Sequence, residues 1–160
     1  MIDMVIAEDQ AMLRDSLACA IDMQDDMHVV AAIADAADAL SAVEKHNANL
    51  ALLDVRTEND SSGIVAAAAI KEAHPDVRVV IMTGMPEITF IEQARAAHVD
   101  SFVYKNVGTA ELIAVIRSTM EGYSTFPRPQ SNALSGAAAL TQTEIDILRL
   151  VCETKTRKEI

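Results

Sequence analysis

Leu50-Ala51-Leu52-Leu53-Asp54 is the stretch on which the fold turns: four aliphatic residues without a polar break, stopped by a carboxylate. A strand covered by helices on both faces reads as such a near-continuous apolar run, whereas a half-exposed strand alternates. Working outward, the same kind of run recurs. Upstream lie Ile2–Ala7, broken only by Asp3, and His28–Ala34; downstream lie Arg78–Met82 and Ser101–Tyr104. Helical patterns fill the gaps. Gln10–Gln24 carries Leu13, Leu17 and Ile21 at i, i+4 and i+8, one helix face. Ala36–His46 is the second pattern, and Ile64–His74, Ala-rich and stopped by Pro75, is the third. Pro86 suits the first turn of a fourth helix reaching about Ala97. Thr109–Gly122 is the fifth, with Thr109 as expected cap, Leu112, Ile113, Ile116 and Met120 on its apolar face, and Gly122 as its stop. Polar Thr57–Gly63 reads as a loop. Five strand–helix repeats predict an α/β domain with a parallel sheet.

Composition agrees. Of 160 residues, 51% are hydrophobic and 23% charged, which excludes a disordered chain. Aromatics are only 3% and Trp is absent, so the core is aliphatic with Met filling gaps. No run reaches the ~18 apolar residues of a membrane span, and the start turns acidic at Glu8–Asp9, unlike a secretory leader. Two cysteines, Cys19 and Cys152, are too few for a disulfide scaffold and fit a reduced, cytoplasmic protein without membrane contact. Residues 1–122 hold 8 Lys/Arg against 20 Asp/Glu, a net −12, while residues 123–160 hold 5 against 4. An acidic body of this kind repels nucleic-acid phosphates. The charge step, with Pro127, Pro129, Ser131 and Gly136 after it, marks residues 123–140 as a linker.

In open α/β sheets ligands gather at the carboxyl ends of the strands. The first run ends in Glu8–Asp9, the third in Asp54, the fourth in Thr83–Gly84 and the fifth in Lys105; the second ends in Asp35, the least distinctive. Three close carboxylates repel one another and favour a cation, and an oxygen-rich set suits Mg²⁺. Lys105 then has two candidate partners, a carboxylate or a phosphoryl oxygen. A carboxylate beside a divalent ion and an ammonium is a nucleophile placed for phosphoryl transfer. Competing chemistries fail on the letters. There is no G-x-G-x-x-G after the first run and no G-x-x-x-x-G-K-[ST]. Arg56 occupies the second acidic place of an aspartyl-phosphate hydrolase, and His28, His46, His74 and His98 lack zinc spacing. The acidic Asp22, Asp25 and Asp26 read as a solvated turn, and Tyr104 and Tyr123 as packing residues.

Ile-Ala-Glu-Asp-Gln at 6–10, Leu-Leu-Asp-Val-Arg at 52–56, Val-Ile-Met-Thr-Gly at 80–84 and Phe-Val-Tyr-Lys-Asn at 102–106, taken in this order, resemble a response-regulator receiver domain. The resemblance covers residues 1–122. It implies a flavodoxin-like (CheY-like) five-stranded parallel sheet of order 2-1-3-4-5 with helices on both faces. It implies Asp54 as phosphoacceptor, and Glu8, Asp9 and Asp54 with the backbone carbonyl of Arg56 as ligands of Mg²⁺. It also implies Thr83 and Lys105 as contacts of the phosphoryl group, with Thr83 and Phe102 as switch residues, the Phe102 ring turning inward on activation. Such a domain is a phosphoacceptor fed by a sensor histidine kinase, not an enzyme beyond intrinsic phosphorylation from small donors and its own dephosphorylation, and it tends to homodimerise when phosphorylated. The alternative is a receiver that acts as an interaction module without phosphotransfer. Three departures from the pattern stand out: Thr57–Glu58 replace the usual Met-Pro, Gly63 comes one residue late, and Asn106 follows Lys105.

The ending Leu-Thr-Gln-Thr-Glu-Ile-Asp-Ile-Leu-Arg-Leu-Val at 140–151 resembles the start of a LuxR/NarL-type helix-turn-helix effector, whose recognition helix reads the major groove. Residues 141–160 hold a C-terminal helical fragment of it, with Thr141 or Thr143 as cap. The expectation is a truncated effector, with DNA contact reserved to the full-length parent and transcription regulation as that parent's output.

Overall fold

The computed structural model describes residues 1–84 and 87–127. The five expected strands form: β1 (Ile2–Ala7), β2 (Met27–Ile33), β3 (Leu50–Asp54), β4 (Arg78–Thr83) and β5 (Ser101–Tyr104). They join in one sheet of order β2-β1-β3-β4-β5, and every pairing is parallel. Between them run α1 (Ala11–Asp22), α2 (Ala39–His46), α3 (Gly63–Ala73) and α4 (Ile88–Ala96), and α5 (Thr109–Met120) follows β5. All of Leu50–Asp54 is buried, as a central strand covered on both faces must be.

Each face has its own apolar layer. Val5, Ala51, Leu53, Ile81 and Phe102 point to one side and meet α2, α3 and α4. Met4, Ile6, Leu52, Val80 and Val103 point to the other and meet Ile21 of α1 with Leu112 and Ile116 of α5. Successive residues of a strand alternate sides, so each strand feeds both layers. Fully burying one such side chain contributes roughly 1.5–3 kcal/mol.

The helix ends show where local chemistry decides. Ser62 caps α3, its hydroxyl accepting from the Val65 N–H at 3.2 Å. Asn47 closes α2 in the left-handed region, φ 51°. The cap of α5 is Gly108, not Thr109, and no side chain serves it. The Gly108 carbonyl takes the Leu112 N–H at 3.0 Å, so Thr109 is already helical. At the other end Gly122, φ +100°, reverses the chain. Its N–H reaches the Thr119 carbonyl at 3.1 Å while the Tyr123 N–H reaches the Ser118 carbonyl at 3.0 Å, a Schellman closure.

Two further expectations are corrected. Thr57–Gly63 holds a short 3₁₀ turn, Glu58–Asp60, and Gly63 already belongs to α3. Tyr123 is 68% exposed rather than packed. Asp22, Asp25 and Asp26 are exposed, as a solvated turn would have them, and two of them also pair: Asp22 accepts from the Val29 N–H at 2.8 Å and Asp26 binds the Arg117 guanidinium at 2.9 Å. Among the described residues no helix is long and apolar enough to cross a membrane. Pro86, Cys152, the linker beyond Pro127 and the fragment 141–160 lie outside the described residues.

Candidate functional site

The carboxyl rim of the sheet collects the five expected positions. Asp54 ends β3, Thr83 ends β4, Glu8 follows β1 and Lys105 follows β5. Neighbouring parallel strands in close register bring these ends together: Asp54 lies opposite Met82, and Thr83 opposite Tyr104. One carboxylate oxygen from each of Glu8, Asp9 and Asp54 falls within 4.8 Å of the others. Lys105 Nζ donates to Asp54 Oδ2 at 2.7 Å and sits 2.7 Å from Glu8 Oε2. Thus Lys105 pairs with carboxylates.

Glu8 is wholly buried, whereas Asp9 is exposed. Burial pushes the Glu8 carboxyl above its ordinary value; the Lys105 ammonium and the Gln10 N–H, 3.1 Å from Oε1, oppose the shift, and the Asp54 charge adds to it. For Lys105, burial disfavours the ammonium, but its bonds to Asp54 and Glu8 prevail and raise it. Glu8 Oε2 is buried, and its partner among the described residues is the Lys105 ammonium, an ion pair at 2.7 Å. Three carboxylates therefore face one ammonium, and a buried acceptor oxygen has spare capacity. That donor set fits a small, oxygen-seeking divalent ion.

Around this centre the backbone is tight. An added Cβ on Gly63 would lie 1.9 Å from the Asp54 carbonyl oxygen, so the first turn of α3 approaches β3 as only glycine allows. The Gly63 N–H donates to the Val55 carbonyl at 2.9 Å. Arg56 pairs with Ser62 across the atypical loop, and its guanidinium lies 5.9 Å from the Phe90 ring of α4. The loop is stitched to the end of β2. The Ala36 N–H donates to Thr57 Oγ1 at 2.8 Å, the Glu58 N–H to the Ala34 carbonyl at 3.2 Å, and Asn59 Nδ2 to Asp35 Oδ2 at 2.9 Å. Bonds from Ser61, Asn59 and the Ala37 N–H hold the Asp35 carboxyl below its usual range. Asn59 and Asp60 take φ of 60° and 57°, a left-handed pair that these two residue types tolerate.

Thr83 is 1% exposed, and its carbonyl accepts the Lys105 N–H at 2.8 Å. Phe102 is 1% exposed with its ring on the side of α4. Tyr104 meets it edge-on at 6.3 Å. Phe126, which sequence reasoning passed over, stacks on it at 6.4 Å. The available signal was scarcity: the chain has three phenylalanines, so a Phe in a Pro- and Ser-rich segment calls for an apolar partner.

Residues 4–117 match the family described as the response regulator receiver domain. The chain is 31% identical to the transcriptional regulatory protein DesR of Bacillus subtilis, over 100% of this chain and 79% of that protein. It is 26% identical to the oxygen regulatory protein NreC of Staphylococcus carnosus, over 98% and 79%. A crystal structure of a LuxR-family DNA-binding response regulator from Staphylococcus aureus superposes with TM-score 0.71 and 28% identity, covering 75% of this chain and 99% of that one.

Proposed function

The chain belongs to the response regulator receiver domain family, in its LuxR/NarL-type branch, and from that premise we propose that it is a phosphorylation switch with Asp54 as acceptor. The observation that carries this reading is the placement of Asp54, nearly buried, within 4.8 Å of the Glu8 and Asp9 oxygens and 2.7 Å from Lys105 Nζ. A sensor histidine kinase is the proposed donor. An Asp54 carboxylate oxygen attacks phosphorus; the new O–P bond forms as the P–N bond of the donor phosphohistidine breaks. The electron pair leaves with the imidazole, which takes a proton from water. Glu8, Asp9, Asp54 and the backbone carbonyl of Arg56 would hold Mg²⁺, which when bound supplies neutralising charge for the phosphoryl oxygens. Lys105 holds the acceptor carboxylate in place and contributes a fixed positive charge, while Thr83 offers a hydroxyl at the same rim. The domain is thus a substrate of its kinase, not a turnover catalyst.

Dimerisation on phosphorylation and transcription regulation through a helix-turn-helix of the full-length protein complete the proposal. The net −12 of residues 1–122 makes this body a poor partner for DNA phosphates.

The test is intact mass after incubation with acetyl phosphate and Mg²⁺. One added phosphoryl group is expected, and none in Asp54→Asn. Uptake that persists in the variant moves the acceptor elsewhere and overturns the assignment, and none in the parent overturns it in favour of the interaction-module alternative. Millimolar Mg²⁺ is expected to raise the melting temperature beyond matched NaCl, since an ion held only by the folded state stabilises it.

A further inference from the structure

Beyond Gly122 the chain does not leave the domain at once. The Phe102 N–H donates to the Thr125 carbonyl at 2.7 Å, and the Thr125 N–H donates to Ser101 Oγ at 3.0 Å. These bonds hold Thr125 against β5, the last strand of the sheet order and otherwise its open edge. Ser101 Oγ is itself buried against Thr119 Oγ1 at 2.7 Å, so α5, β5 and this segment share one polar lock. Phe126 then lies between two groups: its ring stacks on Phe102, and the Arg95 guanidinium of α4 sits 4.1 Å from its centroid.

We propose that residues 124–127 are a strap that reads the position of the Phe102 ring and transmits the state of Asp54 to whatever follows Pro127. This rests on the phosphoacceptor reading above. The physical argument is exclusion. A Phe102 ring turned toward the open edge of β5 would need the volume that Phe126 holds, so a docked strap keeps the ring inward. Any input that favours the inward ring favours docking, and by linkage docking favours that input. Arg95 adds α4 to the same unit through its face-on contact with Phe126.

Hydrogen exchange at the Phe102 and Thr125 amides, with and without acetyl phosphate and Mg²⁺, tests the strap while intact mass reports phosphoryl occupancy. The expected result is exchange at least about fivefold slower at both amides in the phosphorylated protein. Phe126→Ala is expected to lose this slowing while still taking up one phosphoryl group, and Phe126→Tyr to retain it. Unchanged or faster exchange in protein whose mass shows the added group overturns the strap, as does slowing that persists in Phe126→Ala. Absence of the mass increase in the parent overturns the acceptor reading instead, and the strap's input falls with it.

Discussion

On the face covered by α1 and α5, the sheet residues Met4, Ile6, Leu52, Val80 and Val103 pack in a layer of aliphatic and Met side chains. The face covered by α2, α3 and α4 holds the chain's three phenylalanines, Phe90 and Phe102 buried and Phe126 stacked on Phe102. Two guanidiniums face those rings: Arg56 lies 5.9 Å from Phe90 and Arg95 lies 4.1 Å from Phe126. The first face is a brace held mostly by shape and volume, with the buried Ser101–Thr119 hydroxyl pair at its β5 edge. The second carries directional contacts in two places, at Arg56 two residues from Asp54 and at the strap. Packing of the first kind resists change without reporting it, whereas rings and cations have discrete arrangements through which a site can be read.

The sharpest way to break that comparison is to damage each face and ask what else is lost. Ile116→Ala, at a fully buried position on the brace, is expected to cost about 2–5 kcal/mol in urea unfolding. Phosphoryl uptake per folded molecule should be unchanged; a parallel fall in uptake would show that the brace also reports. Gly63→Ala on the other face is expected to cost about 1–3 kcal/mol and also to slow uptake, because its Cβ displaces the Asp54 carbonyl. Full-rate uptake in that variant would separate α3 from the acceptor. Thr119→Val removes the buried partner of Ser101 Oγ. Its expected cost is about 1 kcal/mol, with faster amide exchange at Thr125; a stability loss without that faster exchange would detach the polar lock from the strap.

The smallest expected effect concerns charge. Burial raises the Glu8 carboxyl, so in the metal-free protein its ionised form is disfavoured in the folded state. Glu8 therefore weakens the fold above its raised folded pKa. The penalty is relieved as pH falls through that value toward the unfolded value. Glu8→Gln is expected to unfold at slightly higher urea than the parent at pH 7 without Mg²⁺, with the difference vanishing at acid pH. A variant less stable than the parent at pH 7 would mean that the Lys105 ion pair outweighs the burial.

Strands were legible because burial on both faces leaves no polar break, and the whole of β3 is such a run. The positions of Glu8, Asp9, Asp54, Thr83 and Lys105 were legible because parallel topology brings strand ends to one rim. Features made by distant partners were not. Asp35 looked the least distinctive of the strand ends, yet it accepts from Asn59 at 2.9 Å and from the Ala37 N–H at 2.9 Å. Nothing near it in sequence announces a residue 24 positions away. Thr109 was a plausible cap by residue type, but backbone direction gave the role to Gly108. Phe126 has no periodicity around it, since a single anchored ring leaves no pattern.

The strap also says where this protein can be cut. Charge and composition draw the boundary at Gly122, four residues before Phe126. A domain excised there would bare one side of Phe102 and leave its N–H without the Thr125 carbonyl. It would also free Arg95 from its ring and open the β5 edge to any other strand. Excision after Pro127 keeps the seam closed. Two preparations differing by five residues would then differ at this edge, the shorter one exposing the Phe102 N–H and ring to pairing with another copy.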